Sequence, residues 1–290
     1  MRASFVAIVL AAAPAIAEPK LEHVGTFVWD RPESYFGGWS AIAVAEDGIS
    51  FVAIGDNAQI FEGKFTRNGD AITAIPKRPI GALKDLDDVP YFQKNGEKLG
   101  DSEGIALLPD GQIAISFERD DRILIYRGDE AIERVPDNPQ TDNLPLNRGV
   151  EALAVDNAGR LVAIPEALPP GAPGFPVWRL EGGEWTTVFH IPRTLGFNPV
   201  GADIDARGRL FLLERAFRLV GFQSRIRVFD MLAGDPNGII LWQPAMNAFD
   251  NLEGLSVWYD IQGDLRLTLI SDDNYQRFQE TQIVEFRLTE

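Results

Sequence analysis

Five stretches of the chain read alike. They are Trp39-Ser40-Ala41-Ile42-Ala43-Val44, Ser102-Glu103-Gly104-Ile105-Ala106-Leu107, Val150-Glu151-Ala152-Leu153-Ala154-Val155, Val200-Gly201-Ala202-Asp203-Ile204-Asp205 and Leu252-Glu253-Gly254-Leu255-Ser256-Val257. With Ser40, Glu103, Glu151, Gly201 and Glu253 taken as equivalent, the spacings are 63, 48, 50 and 52 residues. Self-similarity on such a period marks an array of supersecondary units that bury their apolar faces against one another. The long first interval contains a segment rich in charge and proline, residues 81–100.

Each stretch leads into a turn and a second apolar run. The turns are Glu46-Asp47-Gly48, Pro109-Asp110-Gly111, Asn157-Ala158-Gly159, Ala206-Arg207-Gly208 and Gln262-Gly263-Asp264. Such pairs tolerate the positive φ of a tight hairpin. The residues alternate with period two and helical periodicity is nearly absent, so the units are built from strands. A third and fourth strand follow in each, such as Phe175–Leu180 and Trp185–Ile191. Four-stranded antiparallel units of about 50 residues are blades of an all-β propeller. Five blades are counted, and six stays open if the first interval hides a degenerate one. The last unit supplies only three strands, so residues 22–29 are expected to complete it, closing the ring and removing a sheet edge.

The first strand of a blade lines the channel and the second returns beside it, so the start of one and the end of the other share a mouth. First-strand starts carry Glu103, Glu151 and Glu253, with Ser40 and Gly201 at the matching places and Asp203 close by. Second-strand ends carry Asp56-Asn57, Glu118-Arg119, Glu166, Glu214-Arg215 and Asp272-Asp273-Asn274. This reading gathers about ten carboxylates at one opening. Crowded carboxylates repel and hold protons unless a cation compensates. An all-oxygen set suits Ca²⁺. The only histidines, His23 and His190, are expected on strands away from the mouth, and there is no cysteine, which argues against zinc. Arg119 and Arg215 are read as matching residues of two blades, able to hold an anion. For any one acid, a solvated loop residue is an equal reading; the set as a whole points to a binding site.

A net charge of −16 excludes nucleic acid and anionic membranes as natural partners and fits cations or a small molecule. Arg2, the apolar run of residues 5–13 and Ala15-Ile16-Ala17 have the layout of a secretory signal peptide cleaved after Ala17. The mature chain, residues 18–290, is therefore expected to be one propeller domain, periplasmic, monomeric and without a membrane span.

At these residues the chain resembles a known family. Gly38-Trp39-Ser40-Ala41-Ile42, Asp101-Ser102-Glu103-Gly104-Ile105-Ala106, Asn147-Arg148-Gly149-Val150-Glu151-Ala152-Leu153 and Asn251-Leu252-Glu253-Gly254-Leu255 are similar to the phytase-like, "esterase-like activity" family of exported bacterial proteins. The resemblance spans essentially the whole mature chain. It implies a propeller related to calcium-dependent phytases and hydrolysis of an ester or phosphoester. Glu103, Glu151, Glu253, Asp272 and Asp273 are then the expected metal ligands. Glu151 and Glu103 are expected at the chemistry, with Arg119 or Arg215 facing the developing negative charge. Asp56, Glu118, Glu166, Asp203 and Glu214 complete the expected mouth. No Gly-x-Ser-x-Gly segment occurs, so a serine nucleophile is not expected. The alternative is a non-catalytic periplasmic binding propeller with structural calcium.

Overall fold

The computed structural model describes residues 19–91, 100–138, 140–145, 148–218 and 221–290. The leader-like residues 1–17, part of the 81–100 segment and Asn147 lie outside them. Five four-stranded antiparallel sheets form a ring. Blade 1 holds β2 (Trp39–Val44), β3 (Ser50–Gly55), β4 (Gln59–Lys64) and the short β7 (Gly81–Ala82). Blade 2 holds β8 (Ser102–Leu107), β9 (Ile113–Phe117), β10 (Arg122–Arg127) and β11 (Glu130–Arg134). Blade 3 holds β12 (Val150–Val155), β13 (Leu161–Pro165), β14 (Phe175–Glu181) and β15 (Glu184–Ile191). Blade 4 holds β16 (Asn198–Ile204), β17 (Arg209–Arg218), β18 (Gly221–Asp230) and β19 (Ile239–Trp242). Blade 5 holds β20 (Asn251–Tyr259), β21 (Leu265–Asp272) and β22 (Gln282–Thr289), with β1 (Lys20–Val28) as its outermost strand. The two ends of the described chain therefore meet in one sheet, as expected.

Five apolar clusters decide the blade number. Each spans two adjacent blades: Trp39 and Ile270 lie between blades 1 and 5, Ile60 and Ile115 between 1 and 2, and Leu153 and Ala114 between 2 and 3. Phe175 and Leu212 lie between 3 and 4, and Phe211 and Leu269 between 4 and 5. Burial of apolar area between blades, not within them, is what closes the ring. Among the described residues, the long first interval holds no sixth blade. It carries a two-stranded hairpin, β5 (Thr66–Asn68) and β6 (Ala71–Ala74), which packs against β1.

The five predicted turns are one device. In each, the glycine at 48, 111, 159, 208 or 263 adopts a positive φ of 64–84° and donates its N–H to the carbonyl three residues earlier. Among the described residues, no helix is long and apolar enough to cross a membrane.

Candidate functional site

Every innermost strand carries a bulge at the same place. Pairing to the second strand skips Ser40, Glu103-Gly104, Glu151, Val200 and Glu253. A bulge re-aims the side chain of its unpaired residue, here toward the channel mouth. The residue that follows Ser40, Glu103, Glu151, Val200 and Glu253 is small in each case: Ala41, Gly104, Ala152, Gly201 and Gly254. Adjacent inner strands approach most closely there. A Cβ on Gly104 would come 2.6 Å from the Glu151 carbonyl, and one on Gly254 would come 2.8 Å from the Ala41 Cα. The register corrects the sequence alignment in blade 4, where the equivalent of Glu151 is Val200 and not Gly201.

Two residues before each bulge, the backbone meets the end of the second strand. Asp56 donates its N–H to Gly38, Glu118 to Asp101 and Glu166 to Gly149, while Arg215 pairs with Asn198 and Asp272 with Asn251. The mouth thus has two tiers. The inner tier is Ser40, Glu103, Glu151, Val200 and Glu253; the outer is Asp56, Glu118, Glu166, Arg215 and Asp272. Blade 4 alone supplies no acid. Its Arg215 is a half-buried cation that contacts Glu253, bonds the Asn251 side-chain oxygen at 2.8 Å and lies 3.9 Å from Glu166.

Two expected mouth residues lie elsewhere. Glu214, one residue out of register with the outer tier, is fully buried inside blade 4, where Arg225 and Arg227 each donate to it twice at 2.6–2.9 Å. Asp203 lies at the opposite end of the channel, where its Oδ2 accepts from the Val257 N–H at 2.8 Å. Arg119 and Arg215 do not match in register either, because Glu118 is the equivalent of Arg215. Arg119 sits at φ +70° on the rim with its Nε 2.6 Å from Asp101. Asp273 is spent between blades, accepting from the Gly38 and Tyr275 N–H groups at 3.0 Å and from Thr281 at 3.2 Å. His23 and His190 lie on the outermost strands of blades 5 and 3.

The opposite mouth opens on a cavity of about 850 Å³ that is also acidic, with Asp47, Asp156, Asp203 and Asp205 in its lining. Three of those acids are turn caps, each accepting two backbone N–H groups of its own hairpin. For Asp47 these hydrogen bonds, and for Asp156 the Arg160 guanidinium together with them, outweigh burial and hold the carboxyl below its ordinary range. Asp203, which caps no turn, is lifted by burial to about 6. At the bulged mouth such raised carboxyls are the rule. Burial, then repulsion from neighbouring acids, drives Glu103 and Glu151 well above the carboxylate range. Burial and then Glu253 lift Asp56 to about 7 and Asp272 to about 8; burial likewise lifts Glu118 to about 7. For Arg215, the attraction of Glu253, Glu151 and Glu166 overcomes burial, so its pKa is raised and it stays charged.

Asp101, Glu103 and Glu118 each offer an oxygen, and the three oxygens lie within 4.8 Å of one another. Of this trio the sequence points to Glu103 as a ligand and to Glu118 as lining; Asp101, which opens the Asp101-Ser102-Glu103 motif, is the candidate ligand that sequence reasoning misses. Its signal is its place two residues before a bulge. An all-carboxylate trio suits a hard cation that takes many oxygens, as Ca²⁺ does.

The model of the phytase-like family, described as esterase-like activity of phytase, matches residues 34–275. The chain belongs to that family. The match takes in all five bulges and both tiers of the mouth. No curated protein sequence matches this phytase-like chain. Among solved structures, a protein of unknown function from Dyadobacter fermentans is 12% identical over 91% of this chain and 86% of its own, with a TM-score of 0.50. The PQQ-bound aldose sugar dehydrogenase of Streptomyces coelicolor is 14% identical over 94% and 99%, at 0.43. The WD40 repeats of RRP9 are 10% identical over 93% and 100%, at 0.47. At such identities a likeness concerns the fold alone.

Proposed function

We propose that this chain is an exported hydrolase of an ester or phosphoester, working at the bulged mouth with a bound divalent cation, Ca²⁺ by the chemistry of the donors. The observation that carries the reading is the contrast between the two mouths. At one end three of the four aspartates cap their own turns and the fourth, Asp203, is raised by burial to about 6. At the other, Glu103, Glu151, Asp56, Glu118 and Asp272 are packed together and all hold protons above the ordinary range. Keeping carboxylates together without compensation is costly, and a cation removes the cost.

Asp101, Glu103 and Glu118 would hold the cation. When bound, it supplies Lewis-acid polarisation of the substrate oxygen. Glu151, on the inner strand of the next blade, takes the proton of the attacking water. Its raised pKa makes it a stronger base than an ordinary carboxylate and shifts its working range to higher pH. Arg215 holds Glu253 in place and keeps one side of the ring positive. The leader-like N-terminal residues support a periplasmic location.

The test is calorimetric titration of the protein with Ca²⁺, with hydrolysis of p-nitrophenyl acetate and p-nitrophenyl phosphate followed in parallel. Binding with metal-dependent turnover is expected, and the preferred substrate identifies the bond class. Binding without turnover would leave a ligand-binding propeller with structural calcium, and no binding would remove the mouth as a metal centre.

A further inference from the structure

Both arginines expected to face negative charge are already engaged, Arg119 with Asp101 and Arg215 with Glu253 and Asn251. The hydrogen bond that a hydrolytic site needs for the oxygen gaining charge must then come from elsewhere. Tyr275 has the geometry for it. The chain leaves β21 at Asp272 and turns through Asn274 and Tyr275, consecutive non-glycine residues at φ +48° and +53°. Left-handed backbone in two such residues persists only where surrounding contacts enforce it. Here Asp273 enforces it, accepting from the N–H groups of Tyr275 and Gly38 and so tying this turn to blade 1.

The turn lays the Tyr275 ring against Gly38, itself at φ +65°, where a Cβ would collide with both the Tyr275 hydroxyl and the Asp56 carboxylate. The hydroxyl oxygen accepts from Gln59 Nε2 at 2.7 Å and from Asn57 Nδ2 at 2.8 Å. Gln59 Nε2 also reaches the Gly37 carbonyl at 3.2 Å, which fixes that end of the amide as the nitrogen. A phenol has two lone pairs and one proton. With both lone pairs filled, the phenol has only its proton left to offer a third partner, and the outer-tier Asp56 is its neighbour across Gly38. Asp56 Oδ1 is buried and accepts no hydrogen bond among the described residues. Two amide donors to the oxygen also polarise the O–H bond and strengthen it as a donor.

We propose that the Tyr275 hydroxyl is the hydrogen-bond donor to the substrate oxygen on which negative charge develops. This rests on the hydrolytic reading of the mouth. The phenol gives no proton away. As water bonds to the carbonyl carbon or phosphorus, its proton passes to the carboxylate base. The bond to the leaving oxygen then breaks, with that oxygen taking the proton back from the base. The Tyr275 O–H stays intact while its hydrogen bond shortens onto the charged oxygen. Partial burial first, and then the charge of Asp56, keep the phenol protonated, its pKa pushed up to about 12.

The experiment compares wild type with Tyr275→Phe, which keeps the ring against Gly38 and removes only the hydroxyl. Three quantities are read: steady-state hydrolysis of the p-nitrophenyl substrates, Ca²⁺ affinity, and affinity of the Ca²⁺-loaded protein for inorganic phosphate. The expected result is a kcat lower by about 10²–10³-fold with KM nearly unchanged, the scale of losing one oxyanion donor. Ca²⁺ affinity should hold, and phosphate affinity should weaken about tenfold. Gln59→Leu, which removes one donor to the phenol oxygen and leaves the phenol, should give a smaller loss in kcat and serves if the first variant does not fold. Full kcat and full phosphate affinity in Tyr275→Phe would overturn the proposal and leave the hydrolytic reading standing. A wild type that binds phosphate through Tyr275 but turns nothing over would overturn the hydrolytic reading and keep the tyrosine as the anion donor. A wild type that does neither overturns both.

Discussion

Glu151 shows how one carboxylate can be a liability to the fold and an asset to the chemistry. It sits at a bulge with Glu166 and Glu253 as acidic neighbours and Arg215 opposing them. Glu151→Gln preserves the shape and removes the ionisable group. Turnover should fall by at least about 10²-fold, the contribution of a positioned base. The melting temperature of the metal-free variant should not drop, since the amide carries no charge to bury. Retained turnover would take Glu151 out of the mechanism, and a lowered melting temperature would show that its carboxylate stabilises the fold. Glu214 is the opposite case, a mouth acid by its position in the sequence and a buried ion-pair acid in the structure.

At the scale of the strand, the bulge is the element that makes the site, and the small residue after it is its condition. Gly254→Ala places a Cβ 2.8 Å from both the Ala41 Cα and the Ile42 nitrogen, so backbone must move. A cost of about 2–3 kcal/mol is expected from overpacking at a site that cannot give way, read as a lower denaturant midpoint. An unchanged midpoint would mean that the inner strands are not held this closely. The Glu-Gly and Glu-Ala pairs were visible as sequence, which is why Glu103, Glu151 and Glu253 could be placed at one mouth, and the blade count and ring closure were legible from period and alternation. The one-residue offset in blade 4 was not. Val200-Gly201-Ala202 fits the repeat equally well in either frame by similarity, and only strand pairing fixes the frame. Nor could similarity reveal that Arg225 and Arg227, on the third strand of blade 4, claim Glu214. The Tyr275 pocket is likewise assembled from residues 218 and 216 positions apart in the chain, Asn57 and Gln59.

For the molecule as a whole, two demands meet in the closing blade and in the mouth. Closure is reinforced by the β5–β6 hairpin, from which Arg67 makes two 2.6 Å hydrogen bonds to the buried Glu285 of β22. Arg67→Ala should cost about 2–4 kcal/mol, somewhat below a fully buried pair because Arg67 keeps some exposure, and the melting temperature should fall accordingly. No fall would mean that the hairpin does not help to close the ring. The mouth makes stability depend on pH in the direction opposite to ordinary salt-bridged acids. Asp56 and Glu118 hold their protons to about 7 and Asp272 to about 8, while the same groups in the unfolded chain release theirs near 4. Between those values the folded state binds more protons, so raising the pH favours unfolding. Without metal, the melting temperature should decline from pH 5 to pH 8, by about 5 °C or more, and level off above that. Bound calcium replaces those protons, so its stabilising increment should be larger at pH 8 than at pH 5, with protons released to the buffer on binding. Thermal melts across this range, with Ca²⁺ and with a chelator, measure both slopes. A metal-free protein that becomes more stable toward pH 8 would mean that the mouth acids are already compensated within the protein, and the physical reason for placing a cation among them would be gone.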